Sequence, residues 1–289
     1  MGNMVQGNAM AKGLEHAFHV PLFVSGVLCT IGVAVVITGG MKRIAGLTEK
    51  LVPFMAVLYL GGAIGVLFVF RKEIPGAFAL IFSEAFGRQA AGGVAGYGVG
   101  QAVRMGIARG IFSNEAGLGS SVMAHAQSDV KEPEIQGMWG ILEIFIDTMV
   151  VCTITALVIL VSGVYEPEVF QNHIANGLEA IDGTTLTGMA FGRVIPYGEQ
   201  ILAISTVLFA FATIVGWSYF GEQTAYYLGK EKGAQTYRLV YSLLTLPGCM
   251  LAPQMIWELS DVLNGMMAIP NLIALFFLGK QVQYGERKT

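Results

Sequence analysis

Long apolar stretches alternate with shorter polar segments along this chain, and several stretches approach the roughly 20 residues that a helix needs to cross a bilayer. The pattern predicts an all-α polytopic membrane protein with about seven transmembrane helices, forming a single transmembrane domain over residues 1–289. The predicted spans are Val20–Gly40, Leu51–Phe70, Gly92–Gln127, Met138–Gly163, Gln200–Gly221, Arg238–Trp257 and Val262–Gly279.

The third predicted span, Gly92–Gln127, is interrupted in its middle. Its apolar run ends in a polar, glycine-rich stretch from Ser113 to Gly119, whose residues favour neither helix nor lipid. Backbone can open at membrane depth only where protein or a watery cavity receives its free N–H and C=O groups. A broken helix of this kind is typical of the binding site of a transporter. The alternative interpretation is a glycine kink that serves helix packing.

A broken helix also offers backbone groups to a ligand. We expect the carbonyl groups from Gly110 to Ser113 to hold an amino group or a cation. The second half-helix, beginning near Ser120, would turn its N–H groups towards a carboxylate. The two interpretations, a binding segment and a packing kink, differ in whether a cavity lies beside the interruption.

Composition supports the membrane assignment, because charged residues make up only 13% of the chain against about 25% in soluble domains. Of the 17 Lys and Arg residues, ten fall in the loops on one side of the predicted spans and five on the other. The richer side is expected to be cytoplasmic. We therefore expect an integral protein of a bacterial or archaeal-type plasma membrane, with a cytoplasmic C-terminus and an extracellular loop over residues 164–197. The net charge of −3 indicates no nucleic-acid partner.

Ionisable residues within membrane spans are energetically costly and are functional candidates by default. Arg109, Glu115 and Asp147 are such residues, and we treat them as candidates for a gate or an ion pair. Arg109 is expected to pair with Glu115, Glu143 or Asp147. The alternatives are direct contact with a substrate and proton coupling through Glu115 or Asp147.

Two adjacent hydroxyl side chains, Ser205 and Thr206, lie midway along a predicted span. Hard cations prefer oxygen ligands, so the pair can contribute to a sodium site. The alternative is that each hydroxyl bonds to the backbone of its own helix. The sequence has no phosphate-binding loop, zinc motif or nucleophile elbow, so we do not expect an enzyme.

The interrupted segment carries a family resemblance. Residues 106–121 read Gly-Ile-Ala-Arg-Gly-Ile-Phe-Ser-Asn-Glu-Ala-Gly-Leu-Gly-Ser-Ser, which closely resembles the sodium:alanine symporter family, also called alanine-or-glycine:cation symporters. Residues 216–222, Gly-Trp-Ser-Tyr-Phe-Gly-Glu, and residues 264–271, Asn-Gly-Met-Met-Ala-Ile-Pro-Asn, agree with it. The resemblance extends over nearly the whole chain.

The resemblance implies a partial leucine-transporter-type bundle of two inverted repeats, from which the first two to three helices are expected to be missing. It implies symport of sodium with a small neutral amino acid, alanine or glycine, across the lipid bilayer, without an organic cofactor. The third helix of the fold would end at Gln6, and the eighth would be Gln200–Gly221. The implied substrate contacts are Gln6, Phe112, Ser113 and Thr206, and the interrupted backbone itself adds Gly110 and Gly117 as candidate contacts. Ser205 and Thr206 would supply half of a sodium site.

Other functions remain open at this stage. A proton-coupled amino-acid carrier would use Glu115 or Asp147. A channel would need a repeated filter, and a membrane-embedded enzyme would need clustered acidic motifs, neither of which the sequence contains. The last alternative is a membrane subunit or fragment that transports nothing by itself.

Overall fold

The computed structural model describes residues 2–86, 95–165 and 183–279, and the regular structure within these ranges is helical. A π-helical turn, Phe145–Val151, joins the seventh helix to the eighth. The α-helices, numbered along the chain, are α1 Gly2–Phe18, α2 Leu22–Ile37, α3 Gly40–Val69, α4 Ile74–Phe86, α5 Ala95–Asn114, α6 Ser121–His125, α7 Pro133–Ile144, α8 Cys152–Val161, α9 Gly183–Gly192, α10 Gly198–Met250 and α11 Pro253–Leu278.

Four helical stretches in the described part of the chain are long and apolar enough to span a membrane. They are Arg43–Val69, Pro133–Val161, Gly198–Met250 and Pro253–Leu278. Large apolar side chains on these helices face outwards; Val57 is 74% exposed and Phe276 is 75% exposed. Such a surface is unfavourable in water but suits hydrocarbon, which solvates apolar side chains while the helix satisfies its own backbone. The structure therefore supports an all-α polytopic membrane protein.

Helix α10 is a helical hairpin. Its regular geometry is broken at Lys230, whose φ of 52° and ψ of −145° lie outside the helical region. We call residues 198–229 the first arm and residues 231–250 the second arm. Because each arm is apolar, α10 can cross the membrane twice. The break separates the predicted spans Gln200–Gly221 and Arg238–Trp257.

Contacts across the hairpin show that its arms run antiparallel. Near the turn, Arg238 Nη2 lies 2.5 Å from Glu222 Oε1. Farther from the turn, the Tyr241 hydroxyl donates to the carbonyl oxygen of Ile214 at 2.7 Å. Residues progressively earlier in the first arm thus meet residues progressively later in the second arm.

The end of the second arm corrects one predicted boundary. The predicted span Arg238–Trp257 passes through Pro253, but the second arm ends at Met250 and α11 begins at Pro253. Pro253 occupies the first turn of α11, where its missing N–H costs no helical hydrogen bond. Residue Leu251 is extended instead of helical. The last span is accordingly Pro253–Leu278, nine residues longer at its start than the predicted Val262–Gly279.

Helix α1 lies at the centre of the described bundle, against α2 and the second arm. The Asn8 amide donates to the carbonyl oxygens of Gly248, at 3.2 Å, and Leu251, at 2.9 Å. The Asn3 amide donates to the carbonyl oxygen of Tyr241 at 2.7 Å. The last carbonyl groups of a helix have no partner within that helix. Asn8 therefore joins the end of the second arm to α1, and Asn3 joins the middle of that arm to α1.

Helix α1 is longer than the family resemblance implies. It does not end at Gln6 but continues to Phe18. Met10 and Ala11 are buried in a core cluster with residues of α2 and α10, and this packing stabilises the extra turns. The chain leaves the helix at His19, which has a φ of 55°, shortly before Pro21.

The predicted extracellular loop, residues 164–197, is partly helical. Residues 166–182 lie outside the described residues, and α9 occupies 183–192. The Phe191 side chain is completely buried and stacks on Tyr59 at a ring-centroid distance of 6.0 Å. Val158 and Leu202 belong to the same core cluster. The second half of the predicted loop is therefore part of the core between α3, α8 and the first arm.

Candidate functional site at the interrupted helix

The interruption predicted in the third span is present between α5 and α6. Helix α5 ends at Asn114, residues 115–120 are not helical, and α6 begins at Ser121. Glu115, Gly117 and Gly119 have φ angles of 56°, 85° and 81°. Glycine adopts such angles without a side-chain clash, whereas Glu115 is a strained position.

The break follows Asn114, three residues after Ile111, where the apolar run ends and the sequence predicts that the helix stops. Gly110, Phe112 and Ser113 are helical, because α5 continues to Asn114. The carbonyl group of Ile111 accepts the N–H of Glu115 at 2.9 Å, so it is used by the helix. The expectation of unwound carbonyl groups from Gly110 to Ser113 was wrong. The non-helical backbone belongs to residues 115–120.

Side chains satisfy part of the opened backbone. Asn114 Oδ1 accepts the N–H of Ala116 at 2.8 Å. From α11, Asn271 Nδ2 donates to the carbonyl oxygen of Gly117 at 3.0 Å. A Cβ atom on Gly119 would lie 2.8 Å from Asn271 Oδ1, so only glycine allows this close approach. Helix α11 therefore holds the opened segment through one residue.

A cavity of about 210 Å³ lies beside the interruption. Cavities for drug-sized ligands measure about 300–1,000 Å³, so this one suits a smaller solute. The cavity is lined by Ser113, Asn114, Glu115, Ser121, Ala124, His125, Glu143, Ile144, Asp147 and Phe220. Its walls come from both sides of the break, from α7 with the π-helical turn, and from the first arm of α10.

Three carboxylates give this cavity a negative charge. Ser113 Oγ donates to Asp147 Oδ2 at 2.5 Å, and the Ser120 hydroxyl donates to Glu115. His125 Nε2 lies 3.8 Å from Glu143 Oε2. Asp147 lies within the π-helical turn, a geometry that is frequent at functional sites. The arrangement can attract a cation, a primary ammonium group or a proton.

Arg109 does not pair with Glu115, Glu143 or Asp147, as the sequence analysis expected. Its Nη2 atom lies 2.6 Å from Asp261 Oδ2 on α11. Its guanidinium carbon lies 3.9 Å from the ring centroid of Trp257. Arg109 points to the α11 side of α5, whereas the cavity lies on the α7 side. It connects two helices away from the three carboxylates.

Comparison with known proteins identifies the family. Residues 1–286 match the model of the sodium:alanine symporter family. The chain belongs to this family. A sodium/alanine symporter of Methanococcus maripaludis is 40% identical over 278 residues, covering 96% of this chain and 59% of that protein. A probable sodium/glutamine symporter of Bacillus subtilis is 37% identical over 97% of this chain and 56% of its own length.

A sodium/proton-dependent alanine carrier protein of Bacillus sp. strain PS3 is 34% identical over 96% of this chain and 63% of its own length. The chain thus spans about three fifths of the length of these members of the sodium:alanine symporter family. The family members found are transporters, and the described structure of this chain agrees with a membrane protein.

The residues named as substrate contacts in the sequence analysis lie in different parts of the structure. Ser113 lines the cavity, and the backbone of Gly117 belongs to the opened segment. The Phe112 ring contacts Trp257 on α11 at a centroid distance of 4.9 Å. Gln6 and Thr206 are half-buried, and neither is among the residues that line this cavity.

Ser205 is buried on the first arm, and its hydroxyl donates to the carbonyl oxygen of Ile201 at 2.9 Å. This is the backbone bond that the alternative interpretation predicted. The hydroxyl oxygen keeps lone pairs that can still bind a cation. Its neighbour Thr206 presents a second oxygen, so the chemistry of the pair fits half of a sodium site.

Two residues near the interruption were missed. Asp261 was assigned to a loop between the predicted spans ending at Trp257 and starting at Val262, although it lies inside α11. Asn271 was noted only as part of a family motif. A polar residue directly after Pro270 inside an apolar helix was the available signal, because such a residue needs a partner in the membrane.

Proposed function

We propose that the complete protein is a sodium-coupled symporter that imports small neutral amino acids, alanine or glycine, across a bacterial or archaeal-type plasma membrane. The C-terminus would lie in the cytoplasm. One observation carries the proposal: the helix interruption at residues 115–120 opens beside a small cavity with three carboxylates. The names of two similar family members support the same substrate class and coupling ion.

The charge of the cavity explains why sodium and amino acid would bind together. Glu115, Glu143 and Asp147 favour the ammonium group of an amino acid and oppose its carboxylate. A sodium ion bound in the same region would offset this opposition. Each solute then raises the affinity for the other, which is the free-energy coupling that a symporter needs. Alternating access would follow when the bundle opens the site to the opposite side of the membrane.

The individual contacts remain proposals. Ser113 is a proposed contact of the ammonium group, since its hydroxyl binds Asp147 in the cavity. The further substrate contacts are Gln6, Gly110, Phe112, Gly117 and Thr206. Ser205 and Thr206 are the proposed hydroxyl ligands of sodium, and Arg109 is a proposed gating residue through its pair with Asp261.

Uptake into proteoliposomes tests the proposed coupling. The protein produced from its complete gene is reconstituted, and uptake of labelled alanine is measured with an inward sodium gradient and with an equal choline gradient. We expect saturable uptake in sodium alone. Asp147→Asn should lower it strongly, whereas Asp129→Asn, the same change on the exposed connector before α7, should not. Uptake that is indifferent to sodium would contradict sodium coupling.

Proton coupling is the second candidate, favoured by the presence of Glu115, His125, Glu143 and Asp147 around one cavity. The name of the relative from Bacillus sp. strain PS3 includes both ions. An inward proton gradient without sodium would then drive alanine uptake. Loss of this uptake in Glu115→Gln, with sodium-driven uptake retained, would assign proton coupling to Glu115. Absence of uptake under both gradients would favour a non-transporting membrane subunit.

A further inference from the structure

A second cavity lies on the opposite side of α5 from the first. It has a volume of about 370 Å³ and lies between α5 and α11, where Leu118 of the opened segment closes one wall. The walls are mainly apolar and include Ile107, Ile111 and Ala268. The opened segment at residues 115–120 therefore has a cavity on each side.

Two buried oxygen atoms in this second cavity lack a hydrogen-bond donor. Asp261 Oδ1 and Asn264 Oδ1, about one turn apart on α11, have no partner among the described residues. Asn264 is only 6% exposed, and both residues line the cavity. The other carboxylate oxygen, Asp261 Oδ2, binds Arg109. Arg109 Nη1 is likewise buried without a partner, but Arg109 does not line the cavity. Buried acceptors without a donor are rare because they cost free energy, so we expect the cavity to receive a donor at this point.

A basic residue of α5 also lines this cavity. Helices α5 and α11 are antiparallel here, because Phe112 meets Trp257 whereas the earlier Arg109 meets the later Asp261. Arg104, which also lines the cavity, is therefore displaced from Asp261 along the helix axis. The cavity combines acceptors, an apolar wall and a long basic side chain.

We propose that this second cavity binds an amino-acid zwitterion. Its ammonium group would donate to Asp261 and Asn264, its carboxylate would meet Arg104, and its side chain would contact Ile107, Ile111 and Leu118. A bare metal cation fits less well, because hard cations take about six oxygen ligands and only two of the lining side chains carry oxygen. The inference rests on the proposed function, since it assigns the same class of substrate to a second site.

Equilibrium binding of labelled alanine to the purified complete protein in sodium tests the inference. We expect two alanine molecules per protein and only one in Asn264→Leu, with the second site weakened by on the order of tenfold to a hundredfold through loss of a charge-assisted hydrogen bond. Asn264→Leu should fold, because an apolar group of similar shape replaces an unpaired one. Ser260→Ala is the matched control: Ser260 is also buried and unpartnered on α11 but does not line the cavity.

The first-cavity variant Asp147→Asn separates the two proposals. If Asn264→Leu and Asp147→Asn each lose one of two alanine sites, and the lost sites differ, both the second site and the proposed function are supported. One alanine per protein, lost in Asp147→Asn and kept in Asn264→Leu, overturns the second site and leaves the proposed function intact. If the protein binds one alanine molecule and only Asn264→Leu loses it, the second cavity is supported as the binding site and the first cavity is contradicted as one. If Asn264→Leu lowers the binding of labelled sodium and leaves alanine binding unchanged, the second cavity is a metal site and the inference is overturned. If the protein binds no alanine at all, both the inference and the proposed function are overturned.

Discussion

The side-chain amide of Asn271 donates a hydrogen bond to the carbonyl oxygen of Gly117 at 3.0 Å, across 154 residues of sequence. The bond joins α11 to the opened segment between α5 and α6. An unpaired carbonyl group costs several kcal/mol in hydrocarbon, so this contact helps to explain why the segment can stay open.

We expect Asn271→Leu to destabilise the protein by about 1–3 kcal/mol, because it leaves the Gly117 carbonyl without its donor. Thermal unfolding in detergent should shift to lower temperature, and alanine uptake should fall with it. Ile273→Ala on the same helix is the control, since Ile273 is 54% exposed and faces away from the core. A variant Asn271→Leu with wild-type stability would show that α11 does not hold the segment.

The glycines of the opened segment should be sensitive to a single methyl group. Gly117→Ala and Gly119→Ala place an L-residue at φ angles of 85° and 81°, at a cost of about 1–2 kcal/mol each. Gly119→Ala should be the worse variant, because its new Cβ meets Asn271.

Gly106→Ala provides the comparison for these two variants. Gly106 is helical, and nothing lies within 4 Å of its ideal Cβ position. Alanine there should stabilise the helix by up to about 1 kcal/mol. Melting temperatures of the three variants therefore should fall in the order Gly106→Ala, Gly117→Ala, Gly119→Ala, and equal values would contradict the strained geometry.

Lys230→Gly should stabilise the hairpin of α10. Lys230 has a φ of 52° and a ψ of −145°, a combination that suits glycine and costs another residue about 1–3 kcal/mol. Lys232→Gly, two residues later and inside the second arm, should instead destabilise by about 1 kcal/mol. Opposite shifts in the unfolding temperature are the expected result, and a loss of stability in Lys230→Gly would contradict the turn geometry.

The ion pair between Glu222 and Arg238 should show strong coupling in a double-mutant cycle. Their side chains are only 12% and 24% exposed, so each single change, Glu222→Leu or Arg238→Met, leaves a largely buried charge without its partner. We expect a loss of about 3 kcal/mol in unfolding free energy. The double variant Glu222→Leu with Arg238→Met should recover most of it. Additive effects of the two single changes would mean that the pair contributes nothing.

The sequence predicts the interruption because its signal is local. Polar residues and glycines inside an apolar run have few structural solutions at membrane depth, so the break could be placed to within three residues. The structure has a cavity beside it, which brings together Ser113, Glu115 and Asp147, residues that the sequence analysis named separately as a substrate contact and as gate or ion-pair candidates.

The missed features depend on residues far apart in the sequence. Arg109 had several acidic candidates, and the choice of Asp261 depends on how α5 and α11 approach each other. The buried position of Phe191 in α9 depends on Tyr59 of α3, which no local pattern reveals. The signal for the end of the second arm, Pro253, is local, but the apolar pattern continues past it, so the predicted span passed through the proline.

The bonds from α1 to the second arm impose an order on synthesis. Asn3 and Asn8 bind carbonyl groups that lie 238–243 residues later in the chain. At about 5–20 residues per second, a ribosome needs roughly 10–50 s to make that stretch. During this interval the two amide side chains lack their final acceptors. Helix α1 therefore forms before these bonds can be made, and docking of the second arm against it is a late step in biogenesis.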